Sequence, residues 1–143
     1  MKVSIGADHG GFELKEKVIS HLIDQGIDVT DQGTYGTDSV DFPDYSKKVT
    51  EDVQNKISDL GILICGTGIG MSIAANKQKG IRAALVGDVF SAKATREHNN
   101  SNVLCLGARV TGEGLALMIV DTWLNAEFEG GRHENRIAKI EEL

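Results

Sequence analysis

Cys65 closes a short apolar run, Ile62 to Cys65, and is followed at once by Gly66-Thr67-Gly68-Ile69-Gly70 and a helix-like pattern. A backbone free of β-carbons can turn tightly and aim several N–H groups at one point, with the positive end of the next helix behind them. That is a cradle for an anion. The same N–H groups and helix end favour thiolate over thiol at Cys65, against the burial that favours the neutral form. A thiolate there can act as a nucleophile or as a proton-abstracting base. The other reading is that the glycines let a strand and a helix pack closely, with Cys65 as an ordinary core residue. Cys105, inside the run NVLCLG, has no such loop and reads as core.

Histidines supply proton traffic near neutral pH. His98 lies in REHNNSNV, after a helical pattern and before the last strand pattern, in a polar, turn-rich stretch with Asn99. His9 follows Asp8 at the tip of the first strand pattern. Either could be a solvated surface residue; two of them in loops expected on the ligand side favour chemistry. In the tail EGGRHENRIAKIEEL, Arg132 and Arg136 are four residues apart, so a helix stacks both guanidinium groups on one face. The pair is repulsive until matched. A phosphate matches it well, since arginine forks suit its geometry; Glu129, Glu134 or a partner chain would also neutralise it. Arg109, after the final strand pattern, can join the same cluster.

Several functions are excluded. The loop is no dinucleotide fingerprint, because GxGxxG would need glycine at Met71 or Ile73, although Asp88 sits where a ribose-binding acid could. No GxxxxGK[ST] occurs, so a Walker-type phosphate loop is absent. With 15 basic against 21 acidic side chains the net charge is −6, a poor basis for binding nucleic acid or anionic lipid. No run of 18 apolar residues exists and the N-terminus lacks a signal-peptide core, which leads us to expect a cytoplasmic, non-membrane protein. Two cysteines in such a chain do not suggest a disulfide, and no CxxC, HExxH or paired His/Cys spacing suggests a metal site.

The elements that must hold these residues follow from apolar patterning. Strands are expected at Val3–Ala7, Ile27–Thr30, Ile62–Cys65, Arg82–Val86 and Val103–Leu106. Between them, Leu14, Val18, Ile19, Leu22 and Ile23 form one helical stripe; Tyr45, Val49, Val53 and Ile57 recur every four residues after a stop at Pro43. Further helices are expected at Ser72–Gln78, Ser91–Glu97, Gly114–Leu124 and from about Arg132. Strand–helix alternation at this pitch means right-handed crossovers and a parallel sheet covered on both faces. The expectation is a single domain over 1–143: a Rossmann-like, doubly wound five-stranded parallel sheet flanked by helices. Ligands bind such sheets beyond the carboxyl ends of the strands.

Taken together, GADHGGFELK, DQGTYG with DFPDY, ICGTGIGMSIAANK, GIRAA, HNNSNVLCLGAR and FEGGRHENRI resemble the type B ribose-5-phosphate isomerases and the related galactose-6-phosphate isomerase subunits. The matches run from Val3 to about Arg136 in the family's order. The resemblance implies a metal-free, cofactor-free aldose–ketose isomerisation of a phosphorylated sugar in the pentose phosphate pathway. It also implies a homodimer, or a dimer of dimers, with active sites shared between subunits. Cys65 matches the family's base and His98 its ring-opening proton-transfer residue, with Asp8 or Thr67 orienting the sugar. Asp8, His9, Gly66, Thr67, Gly68, Ile69, Gly70 and Asn99 match sugar-binding positions, and Arg109, Arg132 and Arg136 match phosphate-binding ones. Some branches use a glutamate base and lack the cysteine; ICGTG places this chain with the cysteine branch. A galactose or allose 6-phosphate isomerase is the nearest alternative, and a non-catalytic phosphate-binding module the next.

Overall fold

The structure, a computed structural model, describes residues 1–143. Five parallel strands alternate with helices: β1 (Lys2–Ala7), α1 (Phe12–Asp24), β2 (Asp28–Asp31), α2 (Phe42–Gln54), β3 (Leu60–Cys65), α3 (Ile69–Asn76), β4 (Ala83–Leu85), α4 (Val89–Asn99) and β5 (Val103–Gly107), followed by α5 (Glu113–Asn125) and α6 (Arg132–Glu141). The sheet order is β2-β1-β3-β5-β4. The doubly wound five-stranded parallel sheet expected from the sequence is therefore present. From β1 the chain moves outward to β2, and from β3 it moves the other way. The strand order thus reverses between β1 and β3, which opens a crevice between the loops that follow them.

Side chains alternate along each strand and so fill two cores. On β3, Leu60, Ile62 and Ile64 join Val3, Ile5, Leu104 and Leu106 beneath α1 and α5, whose Val18, Leu22, Ile119, Val120 and Trp123 are buried. Leu63 and Cys65 face the other way and pack with Val49, Met71, Ala75 and Cys105. On that second face α2 lies close to the sheet because Gly6 and Gly61 carry no side chains. A β-carbon on Gly61 would stand 2.6 Å from Val49 Cγ1, and one on Gly6 2.9 Å from its Cγ2.

Some expectations need correction. Pro43 does not stop a helix; it occupies the first turn of α2, where its missing N–H has no partner to lose. Ile57 lies beyond α2 and is 57% exposed, and Ile23 at the end of α1 is 58% exposed, so neither belongs to a buried stripe. Conversely Lys15 is fully buried, its amine bridging Asp31 Oδ1 at 2.7 Å and Glu16 Oε1 at 3.0 Å. α3 begins at Ile69 rather than Ser72.

Among the glycines, the tightest approach is that of Gly11, before α1, to β3. A β-carbon on Gly11 would sit 2.4 Å from the carbonyl oxygen of Ile64, a backbone atom of β3 that cannot swing aside. Gly114, on the exposed face of α5, has nothing within 4 Å. Gly11→Ala is expected to cost roughly 3 kcal/mol in urea unfolding, the upper end of overpacking penalties, while Gly114→Ala should stabilise by about 0.5–1 kcal/mol. Equal effects of the two substitutions would contradict the packing described.

Candidate active site

The reversal crevice holds most of the residues singled out in the sequence. Cys65 ends β3 and is 6% exposed; its Sγ accepts the N–H of Gly68 at 3.2 Å. Gly68 makes that contact because it adopts φ +79°, a left-handed turn natural to glycine, and it N-caps α3 without any side-chain cap. The N–H of Ile69 donates to the Thr67 hydroxyl at 3.3 Å, whereas the N–H groups of Gly66 and Thr67 have no partner in the chain. The uncapped positive end of α3 and these amides face the same mouth.

Asp8, at the end of β1, is buried and accepts the N–H of Gly11 at 3.1 Å. It stands near Gly66: a β-carbon on Gly10 would lie 3.3 Å from Asp8 Oδ1, 3.5 Å from the Gly66 nitrogen and 3.7 Å from Arg109 Nη2. Arg109 runs along Gly66, to which its own backbone N–H donates at 2.9 Å. It makes no intrachain ion pair. His9 accepts the N–H of Val40 through Nδ1 at 3.2 Å, leaving its far edge toward a cleft of about 500 Å³ that it lines with Gly10, Lys17, Thr37 and Arg109. Asp8, His9, the Gly66–Gly70 loop and Arg109 are thus brought together around Cys65.

Both readings of the glycines hold, at different positions. Gly68 and Gly70 are packing glycines. A β-carbon on Gly68 would fall 2.9 Å from the Leu106 carbonyl carbon, and one on Gly70 2.8 Å from the Phe42 ring. Gly66 meets only the Arg109 side chain, at 3.4 Å and beyond, and leaves its amide open.

The remaining candidates, His98, Asn99, Arg132 and Arg136, lie elsewhere. His98 is not in a loop beside the strands' carboxyl ends; it is in the last turn of α4, and a helix in this fold runs back to the amino ends. Asn99 lines a concavity of about 890 Å³ with Arg82, Ala83 and Ser101 around the start of β4. Cys65 is not among the residues that line it. Across a six-residue strand at about 3.3 Å per residue, the two ends are roughly 20 Å apart. Arg132 and Arg136 sit on α6 at this same end, exposed and without an intrachain ion pair, so Arg109 does not join them within one chain. Glu129 does not neutralise them. It pairs instead with His98 Nε2 at 3.2 Å, and His133 stacks on His98 with ring centroids 4.6 Å apart.

Asp88 has a structural task. It caps α4, accepting the Ser91 N–H at 2.6 Å and the Ser91 hydroxyl at 2.9 Å, and these bonds hold its carboxyl below the usual range. Cys105 is fully buried, and burial, reinforced by nearby Cys65, pushes its thiol strongly toward the neutral form.

Comparison with known proteins adds the following. The family described as ribose/galactose isomerase matches residues 3–140. The ribose-5-phosphate isomerase B of Escherichia coli is 49% identical over 97% of this chain and 93% of its own length. The solved structure of the Clostridium thermocellum ribose-5-phosphate isomerase B superimposes with a TM-score of 0.99 at 55% identity, covering 99% of this chain and 96% of that one. The structure of the Mycoplasma genitalium ribose-5-phosphate isomerase B with bound ribulose 5-phosphate has a TM-score of 0.94 at 45% identity, covering 99% and 94%.

The contrast between the two thiols is directly measurable. Iodoacetamide on the folded protein is expected to label Cys65, at the loop mouth, and to spare Cys105, with both labelled in urea. Peptide mapping reads the outcome; native labelling at Cys105 would mean that the second core opens.

Proposed function

The chain belongs to the ribose/galactose isomerase family and is an isomerase interconverting ribose 5-phosphate and ribulose 5-phosphate; we propose that Cys65 is its base and that each site is completed by a second copy of the chain. The supporting observation is the division of the candidate residues between the two ends of one sheet. Cys65, with its open amides, and His98, with its unpaired arginines, cannot meet on one substrate within one chain. A homodimer in which the amino-end group of one copy faces the crevice of the other reunites them, and twofold symmetry makes two such sites. Exposed apolar side chains beside the crevice, Ile69, Ile73 and Phe90, give that contact an apolar component.

The chemistry follows from the groups. Ribose 5-phosphate is mainly a closed ring, whose C2 hydrogen becomes acidic only after opening. His98 of one copy takes the proton of the anomeric hydroxyl and delivers it to the ring oxygen as the C1–O bond of the ring breaks. Asp8 and Thr67 orient the open sugar. The Cys65 thiolate of the other copy, stabilised by the Gly68 N–H, then removes the C2 proton. The electron pair forms a planar enediolate, a proton passes from O2 to O1, and the thiol returns its proton to C1. Negative charge grows on the substrate oxygens opposite the amides of Gly66 and Thr67, where one well-placed donor is worth roughly 2.7–4 kcal/mol. Arg132 and Arg136, with Arg109 across the interface, hold the phosphate, and that binding energy is used to align C1 and C2 with the sulfur. We place the protein in the cytoplasm, where its phosphorylated substrate is found.

Cys65→Ala should lower kcat by roughly 10²–10⁴-fold, the usual contribution of a general base, with sugar-phosphate binding retained. Arg136→Ala should mainly raise KM. The shared site is tested by mixing Cys65→Ala with His98→Ala after unfolding and joint refolding. Half of randomly formed dimers are then mixed and each carries one intact site, so about a quarter of wild-type turnover should return. A mixture as inactive as its components would show that the two residues do not serve one site across the interface.

A further inference from the structure

At the amino end of the sheet, three potential metal ligands converge that no short sequence spacing announces. His98, Glu129 and His133 each offer a donor atom, and these atoms lie within 4.8 Å of one another. They come from the last turn of α4, the connection before α6 and the first turn of α6. The cluster is built rather than incidental. The Glu129 backbone N–H is fixed to the Glu97 carbonyl at 3.0 Å. Gly130 and Gly131 then adopt φ +69° and +56°, a reversal that returns the chain so that His133 stacks on His98. The His133 backbone N–H closes the turn on the Gly130 carbonyl at 3.2 Å.

The donor set is two imidazoles and a carboxylate. Around Zn²⁺, with bonds of about 2.0–2.2 Å, tetrahedral donors stand roughly 3.3 Å apart. His98 Nε2 and Glu129 Oε1 already stand at 3.2 Å. The His133 donor lies within 4.8 Å of the other two, so coordination requires its ring to leave the stack on His98 and turn toward them. Two neutral imidazoles and one carboxylate select a borderline dication over calcium or magnesium, which prefer all-oxygen shells. The side chains of His98 and Glu129 are about half exposed, at 46% and 51%, so an ion can enter and a water can hold the fourth position.

We propose that His98, Glu129 and His133 form an inhibitory site for a transition-metal dication, Zn²⁺ foremost. The ion has no part in the isomerisation. Bound at Nε2, it leaves the remaining proton of the neutral imidazole on Nδ1, so His98 has no lone pair for the anomeric proton and ring opening stops, a consequence that rests on the proposed role of His98. Removing the ion frees the imidazole and restores turnover.

Two measurements separate the site from the reading of the reaction. The first is binding, by calorimetry with Zn²⁺ and by visible absorption with Co²⁺, on protein carrying Cys65→Ser so that no accessible thiol competes. One ion per chain is expected, with affinity reduced at least about tenfold in His133→Ala and in Glu129→Gln. Zn²⁺ affinity unchanged by both substitutions, or no binding, overturns the site. The second is turnover of the otherwise unaltered enzyme with Zn²⁺ and then excess EDTA. Inhibition that EDTA reverses, and that weakens in His133→Ala relative to its own metal-free rate, supports the full proposal. Metal bound at the three residues without loss of turnover upholds the site and overturns both the inhibition and the role given to His98.

Discussion

The length and direction of the strands govern everything else in this molecule. In a parallel sheet every strand points the same way, so every crossover helix must run back, and its C-terminus arrives at the opposite end from the preceding strand's C-terminus. Cys65 closes a strand and His98 closes a helix. About 20 Å of hydrogen-bonded strand separates the two ends. No loop movement closes that distance without dismantling β3, which is buried on both faces and paired on both edges. A reaction that needs both groups therefore needs two chains. On the roles proposed for Cys65 and His98, pairing of two copies is a condition of the chemistry.

Electrostatics point the same way. The crevice end offers partnerless amides, an uncapped helix start and an arginine without a carboxylate; the amino end offers Arg132 and Arg136, likewise unpaired. A chain with net charge −6 has ample acid to neutralise three arginines, yet it spends Asp31 and Glu16 on buried Lys15 and Glu141 on Arg82. Leaving positive charge uncompensated at both ends forgoes small local gains, typically below about 1 kcal/mol per exposed pair. In the proposed shared site a dianionic phosphate meets several arginine forks at once, which outweighs those small losses.

Much of this was legible in the sequence, and the failures share a cause. The all-apolar run Ile62–Cys65 announced a central strand, and the glycines after it announced a close backbone approach; both follow from neighbours in sequence. Pro43 was read as a stop because a proline breaks a helix interior, but in the first turn it breaks nothing. Ile23 and Ile57 fit a periodicity and yet face water, since periodicity cannot show where a helix ends relative to the sheet edge. Buried Lys15 defied its residue type because Asp31 lies one strand away, a partner invisible to local pattern. His98 was placed in a ligand-side loop; alternating chain direction, applied strictly, would have sent it to the other end. The cluster with Glu129 and His133 could not be found by spacing at all, because its members are 31 and 4 residues apart and meet only through the turn at Gly130 and Gly131.

That last cluster carries a general consequence. A histidine that must give and take a proton needs a fixed ring and an accessible lone pair, and here the ring is fixed by a stacked imidazole on one side and a carboxylate on the other. Those are the properties of a metal ligand. Preorganisation for proton transfer and preorganisation for zinc differ only in whether the third group can reach the same point, and the His133 donor lies within 4.8 Å of the other two. On the proposed roles, sugar phosphate and a metal ion compete for this one exposed face, so occupancy by either excludes the other.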